Sequence, residues 1–135
     1  MKKIINILWI IAFLLSLLLP GCALFHGDKW TTQDKVLETT WQIAHAVDWG
    51  QTLYISDHPT LFHENSFVLG EHPSRSEVNI YMAAETILHP VVTNYLPRDK
   101  KILGVPIRTW WQSITIVRKV DLVRSNYMLG IKLAY

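Results

Sequence analysis

The sequence predicts a mainly α domain: three principal helices, the second kinked at Pro90, with one long loop and, as an open alternative at the end, a short C-terminal strand. Three observations predict it. Apolar residues recur at three- and four-residue spacing in three stretches, the period of one helix face. Residues that cap helix N-termini, Thr31 or Thr32 and Ser74 or Ser76, stand just before two of those stretches. Leu96-Pro97, Gly104 and Pro106 punctuate the chain between the second and the third.

The first helix is expected from Val36 to about Ile55, with Asp34 and Lys35 in the capped turn before it. Leu37, Trp41, Ala44, Asp48, Gln51, Thr52 and Ile55 share one face, and Val36, Ile43, Val47 and Tyr54 form a second apolar stripe beside it. A helix that is apolar nearly all round in its middle belongs at the centre of the fold. Ser56 to Ser76 reads as a long polar connection, with Phe62, Phe67, Val68 and Leu69 expected to pack it back on the core. Loops of this length are often functional. The second helix is expected to run to about Tyr95. Glu77 follows Ser74 at capping-box spacing. Pro90 removes a backbone donor inside the helix and predicts a kink near His89. The third helix is expected from about Ile107 toward Asn126, with Trp110, Ile114, Val117, Asp121 and Arg124 on one stripe. Leu129, Ile131, Leu133 and Tyr135 then alternate with Gly130, Lys132 and Ala134, the pattern of a short strand or of an extension pressed on the helices. A membrane β-barrel needs many alternating segments of about ten residues, and the rest of the chain is patterned as helix.

The amino-terminal segment is of a different kind. Lys2 and Lys3 precede an apolar run to Leu19, the layout of a secretory signal peptide. Ile7 to Leu19 is about 13 residues, shorter than the roughly 20 a transmembrane helix needs. Leu19-Pro20-Gly21-Cys22 resembles the bacterial lipobox, although Pro20 stands where Ala or Ser is commoner. The alternative is a plain membrane anchor with a chance cysteine. The resemblance implies diacylglycerol on Cys22, cleavage before it and acylation of the new amine. Ala23 in place of Asp implies the outer membrane, with the domain facing the periplasm. The domain organisation is then a signal peptide at 1–21, a lipidated tether at 22–31 and a single helical domain at 32–135.

Without Lys2 and Lys3, the 13 basic residues fall to 11 against 11 acidic, a neutral mature chain. It lacks the basic stripe of a nucleic-acid binder. Arg98-Asp99-Lys100-Lys101 reads as a charged turn, in solvent or against a headgroup or partner. Cys22 is the only cysteine, so no disulfide or cysteine metal site is expected.

Three polar groups are candidates for chemistry. His45, Asp48, Gln51 and Thr52 meet on one surface of the first helix. A buried ionised Asp48 needs a partner, for which His45, Thr52 or a basic side chain of another helix would serve. Tyr81, Glu85 and His89 stand one turn apart on the second helix, where carboxylate and imidazole can share a proton or a metal; His89 can also mend carbonyls freed by Pro90. His58, His63, Glu64 and His72 lie in the long loop, with no strong zinc spacing. The metal candidates are therefore the weak set His45, His58, His63 and His72, and no cofactor is implied. Structural packing or surface exposure is the simplest reading of all three groups. Arg118, Asp121 and Arg124 are expected to form an ion-pair ladder, with one arginine available to neutralise Asp48 or Glu85 if buried. No nucleophile elbow, phosphate loop or dinucleotide fingerprint is present.

The stretches Asp48-Trp49-Gly50-Gln51-Thr52, Glu64-Asn65, Leu69-Gly70-Glu71-His72-Pro73 and Val78-Asn79-Ile80-Tyr81 are similar to small uncharacterised helical proteins of Proteobacteria and their phages. The resemblance implies a helical fold over most of residues 41–126 and brings no catalytic residues. The expected function is a membrane-anchored envelope lipoprotein with a non-catalytic binding or structural role, whose partners are the membrane through Cys22 and another envelope protein. The rival is a small envelope hydrolase using Asp48, Glu85 and His89, with or without a metal.

Overall fold

A computed structural model describes residues 29–134. The signal segment, the lipobox-like Leu19-Pro20-Gly21-Cys22, most of the tether and Tyr135 lie outside the described residues.

The architecture is mainly α, with three long helices: α1 (Thr32–Asp57), α2 (Arg75–Tyr95) and α3 (Ile107–Met128). Between α2 and α3 stands a two-stranded hairpin, β1 (Lys101–Ile102) and β2 (Val105–Pro106), paired antiparallel with Ile102 opposite Val105. The sequence pointed to a turn there and not to a hairpin. Among the described residues the alternating C-terminal stretch forms no strand. Gly130, at φ +82°, closes α3: its N–H bonds Tyr127 O and that of Ile131 bonds Asn126 O, the Schellman pattern. Ile131 is then buried, and Ala134 N–H donates to Gly50 O, so the tail lies against α1.

Both expected caps form. Thr31 and Asp34 make a reciprocal capping box on α1, and Ser74 and Glu77 make another on α2. Pro90 lies inside α2 and the helix continues through it. A residue other than proline would bond Thr86 O at this point; instead Gln42 of α1 donates to that carbonyl at 3.2 Å. Gln42, and not His89, mends the gap.

Cross-helix partners define the topology. Glu38 meets His89, His45 meets Met82 O and Trp49 meets Asn79, so α1 and α2 are antiparallel. Asp34 meets Arg108, Asp48 meets Lys119 and Gln51 meets Asn126, so α1 and α3 are parallel. The bundle therefore has a tether end, with the start of α1, the end of α2 and the hairpin, and a loop end, with residues 58–74.

The core runs against the usual polarity. Among the described residues six apolar side chains are buried, Trp41, Leu53, Ile55, Val78, Met82 and Ile131, against ten polar or charged ones. The apolar cluster of Leu53, Val78 and Met82 sits toward the loop end, packed by Trp49, Leu69 and Tyr81. The loop thus folds back through Leu69, as expected, and through Phe62 against Tyr54, whereas Phe67 and Val68 are exposed. The second apolar stripe of α1 is not core: Val36 and Ile43 face outward. The expected stripe of α3 is likewise displaced, with Ile114, Val117, Asp121 and Arg124 all exposed, while Arg108 and Gln112 are fully buried.

Candidate functional site: a layered polar seam

The buried face of α1 reads Asp34, Glu38, Trp41, His45, Asp48, Thr52 and Ile55, alternating four- and three-residue steps. That spacing keeps one seam facing its neighbours along the whole helix. Polar and charged residues occupy most of it, and α2 and α3 supply the complements layer by layer.

At the tether end Asp34 does two jobs. Its carboxylate caps Thr31 and lies 3.6 Å from Arg108 and 3.7 Å from Arg98. Arg108, with no exposed surface, also donates to Asn94 O and Leu96 O, carbonyls at the end of α2. A cation there satisfies groups that the helix itself leaves unpaired. Gln112 donates to Asp34 O at 2.9 Å and ties α3 to the same point.

One turn further, His89 Nδ1 is 3.0 Å from both Glu38 oxygens, and its Nε2 is 2.9 Å from Thr115 Oγ1. Thr115 Oγ1 is also 2.8 Å from Trp111 O, so the hydroxyl ties His89 to the backbone of α3. Trp111 donates to Thr93 Oγ1. Trp41 stacks on His89 with ring centres 3.8 Å apart and on His45 at 4.7 Å.

The next layer joins all three helices through one cation. Lys119 of α3 donates to Asp48 of α1 and to Glu85 of α2, each at 2.8 Å. Tyr81 donates to the other Glu85 oxygen at 2.8 Å. The Lys119 ammonium also lies 5.8 Å from the centre of the Trp41 ring. Burial alone would raise the Glu85 carboxyl, but the Lys119 ammonium outweighs it and holds Glu85 below the ordinary glutamate value. Burial alone would lower Lys119; the charge and hydrogen bond of Asp48, joined by Glu85, hold it above the ordinary lysine value. Tyr81 is pushed up by burial and by its bond to Glu85. Glu64, reaching in from the loop, is raised by burial, with the Asp48 charge adding to it.

His45 completes this layer. Its Nε2 donates to Met82 O at 3.0 Å, which fixes the tautomer and leaves Nδ1 as a bare lone pair, 3.6 Å from Glu85 and without a hydrogen-bond partner. Burial lowers its pKa and the Lys119 charge adds to this, against the opposing pull of Met82 O, Glu85 and Asp48. His45 is a neutral imidazole in the interior.

The structure thus brings together Asp48, Glu85 and His45, and it leaves His89 out. His89 belongs to Glu38 one turn away, with Trp41 stacked against both imidazoles, so Asp48, Glu85 and His89 form no joint constellation. The basic partner expected for Asp48 comes from another helix, but it is Lys119 and not Arg118 or Arg124, which are exposed. No ion pair forms among Arg118, Asp121 and Arg124 within the described residues. The metal candidates do not converge. His58 stacks on Tyr54 and bonds Tyr54 O, while His63 and His72 are at the surface. Among the described residues no group of three or more His, Cys, Asp or Glu side chains is placed to hold a metal ion. A groove of about 710 Å³ lies elsewhere, between α1, α3 and the tail, lined by Val47, Gln51, Val123, Tyr127, Ile131 and Leu133.

Glu38, Arg108, Thr115 and Lys119 were not singled out by sequence reasoning. A signal for them exists: Glu38, His45 and Thr52, and again Gln112, Lys119 and Asn126, recur at seven-residue spacing. A polar repeat of that period marks a seam as surely as an apolar one.

No protein-family model, curated protein or solved structure matches this chain.

Proposed function

We propose that this chain is a lipid-anchored, non-catalytic binding module of the bacterial cell envelope. The observation that carries the reading is the occupation of the candidate acid–base groups Asp48, Glu85 and His89 by other side chains of the fold. Lys119 engages both Asp48 and Glu85, and Glu38 and Thr115 engage both nitrogens of His89. A general acid or base must be within hydrogen-bond reach of substrate, and these groups spend that reach on the fold.

What is available to a partner is the outside, and it is unusually apolar. From Val36 to Ser56 the outward positions of α1 carry no charge, and Thr39 and Thr40 turn their hydroxyls back onto Lys35 O and Val36 O. Ile80, Ile87, Leu88, Val92 and Tyr95 are exposed along α2. Soluble monomers rarely leave apolar area of this extent uncovered. Among the described residues no helix is long and apolar enough to cross a membrane, so attachment through Cys22 supplies what the helices do not.

The test is metabolic labelling of the full precursor in a bacterium with a fatty-acid analogue, followed by membrane fractionation and crosslinking. The wild-type protein is expected to carry label, to fractionate with outer membrane and to capture an envelope component. Cys22→Ser is expected to lose the label. An unlabelled wild-type protein would overturn the lipoprotein reading, and Lys119-dependent hydrolysis of an envelope substrate would overturn the non-catalytic one.

A further inference from the structure

The hairpin at the tether end carries a feature that the fold does not use. Its turn is two residues long, Leu103-Gly104, with φ of +52° and +81°. Such a turn suits Asn-Gly, because two successive positive φ values strain any residue with a branched or bulky side chain. Leu103 is the one non-glycine residue at positive φ among the described residues. Its side chain is 89% exposed, so it gains no packing in return, and Ile102 beside it is 54% exposed. Strain held at an exposed apolar tip points outward from the molecule.

The surroundings say toward what. The tip is held rigidly: Trp110 Nε1 donates to Ile102 O at 2.9 Å, and Ile107 N–H donates to Lys100 O at 3.0 Å. Lys100 and Lys101 are exposed at the base of the hairpin, and Lys29 is exposed where the chain enters α1; Asp99 is the exposed acid among them. The loop end, where α1 and α3 finish, mixes both signs: Asp57, Glu71 and Glu77 with Arg75, Arg124 and Lys132. The tether end is therefore basic around its apolar point, whereas the exposed Leu61, Phe67 and Val68 of the loop end stand among charges of both signs.

Reach agrees with charge. Trp30 is bonded to Asn94 at the tether end. The eight residue-to-residue steps from Cys22 to Trp30 span at most about 28 Å when fully extended. The 26 residues of α1 place the loop end about 39 Å further along the bundle. A lipid on Cys22 therefore attaches the chain at its hairpin end.

We propose that the hairpin docks on an anionic lipid surface, with Leu103 and Ile102 entering the headgroup–acyl boundary and Lys100 and Lys101 meeting lipid phosphates. An apolar wedge with cationic shoulders binds a membrane through both effects at once. The proposal rests on the lipoprotein reading for its geometry, but its test does not need the lipid.

That test uses the processed chain from residue 22 carrying Cys22→Ser, which retains every described contact. Flotation is measured with vesicles of phosphatidylcholine, with and without phosphatidylglycerol. Binding is expected with phosphatidylglycerol and weaker by roughly thirtyfold without it, the effect of two lysines near the surface. Leu103→Asn is expected to lose binding on the order of tenfold, the effect of one buried leucine. It should not unfold the protein, because Asn suits the turn better; a thermal midpoint equal to or above wild type checks this. Lys100→Gln with Lys101→Gln is expected to abolish the preference for phosphatidylglycerol. Equal flotation of Leu103→Asn and wild type would overturn the proposal, and so would indifference to lipid charge. A Leu103-dependent dimer in sedimentation without vesicles would overturn it in favour of a second copy as occupant. Vesicle binding by this chain alongside an unlabelled Cys22 in cells would sink the lipoprotein reading and leave the hairpin proposal standing.

Discussion

The two halves of the bundle are held together by different physics. Toward the loop end Leu53, Val78 and Met82 make an apolar cluster of the ordinary kind. Toward the tether end and through the middle the helices meet through Asp34 and Arg108, Glu38 and His89, and Asp48, Glu85 and Lys119. Apolar side chains tolerate sliding and repacking. Buried ions do not, since each misplaced charge loses its partner. The polar half therefore fixes which residue of each helix faces which, and the apolar half supplies non-directional stabilisation. The surface repeats the asymmetry in another form: an apolar tip with basic shoulders at one end and charges of both signs at the other.

Breaking the polar half should cost most. Lys119→Met leaves Asp48 and Glu85 facing each other without their cation, and a buried pair broken in this way typically costs about 3–5 kcal/mol. Urea denaturation at neutral pH checks it, and adding Asp48→Asn and Glu85→Gln to the same chain should restore much of the loss. If Lys119→Met alone unfolds as wild type does, the seam is not what sets the register. In the apolar half, Leu53→Ala removes packing around Val78 and Met82 and should cost about 3 kcal/mol. No second substitution should rescue it in the way the neutral triple does at Lys119, because no partner is orphaned.

Smaller effects sharpen the contrast. Ser74→Ala removes the side-chain acceptor for Glu77 N–H and should cost about 1 kcal/mol. The smallest is a pH dependence at His45, in the polar half. His45 has a folded-state pKa below its unfolded value of 6.5, so the unfolded chain takes up the proton first. Stability should thus be fully present above pH 6.5 and decline as pH falls from there toward the folded-state value. His45→Gln retains a donor for Met82 O and should flatten that slope, read as the change in denaturation midpoint between neutral and mildly acidic buffer. A slope unaltered by His45→Gln would place the titrating group elsewhere.

The helices were legible because local signals agree with the fold: Thr31 and Ser74 cap where expected, and α1, α2 and α3 end within a few residues of the positions their patterns suggest. The faces were less legible. Periodicity assigns apolar residues to the interior, and here Glu38, His45 and Arg108 are inside while Val36, Ile43 and Val117 are outside. On α1 the reading was right at Trp41, Asp48, Thr52 and Ile55 and slipped by one residue at Leu37 and Ala44, which stand next to Glu38 and His45. On α3 the apolar stripe led to the wrong side altogether. The hairpin was illegible for a related reason: Leu103 occupies a place where turn chemistry favours Asn, so the usual hairpin signal is missing.

The orientation of the two ends is the point on which the account turns, and one measurement addresses it directly. Single cysteines are placed at Leu103 and at Leu61, an exposed loop-end residue, in the processed chain with Cys22→Ser. Each is labelled with an environment-sensitive fluorophore and mixed with phosphatidylglycerol-containing vesicles that include a brominated lipid. The account predicts a blue shift and quenching at position 103 and neither at position 61. Quenching at 61 alone, or equally at both, would contradict it.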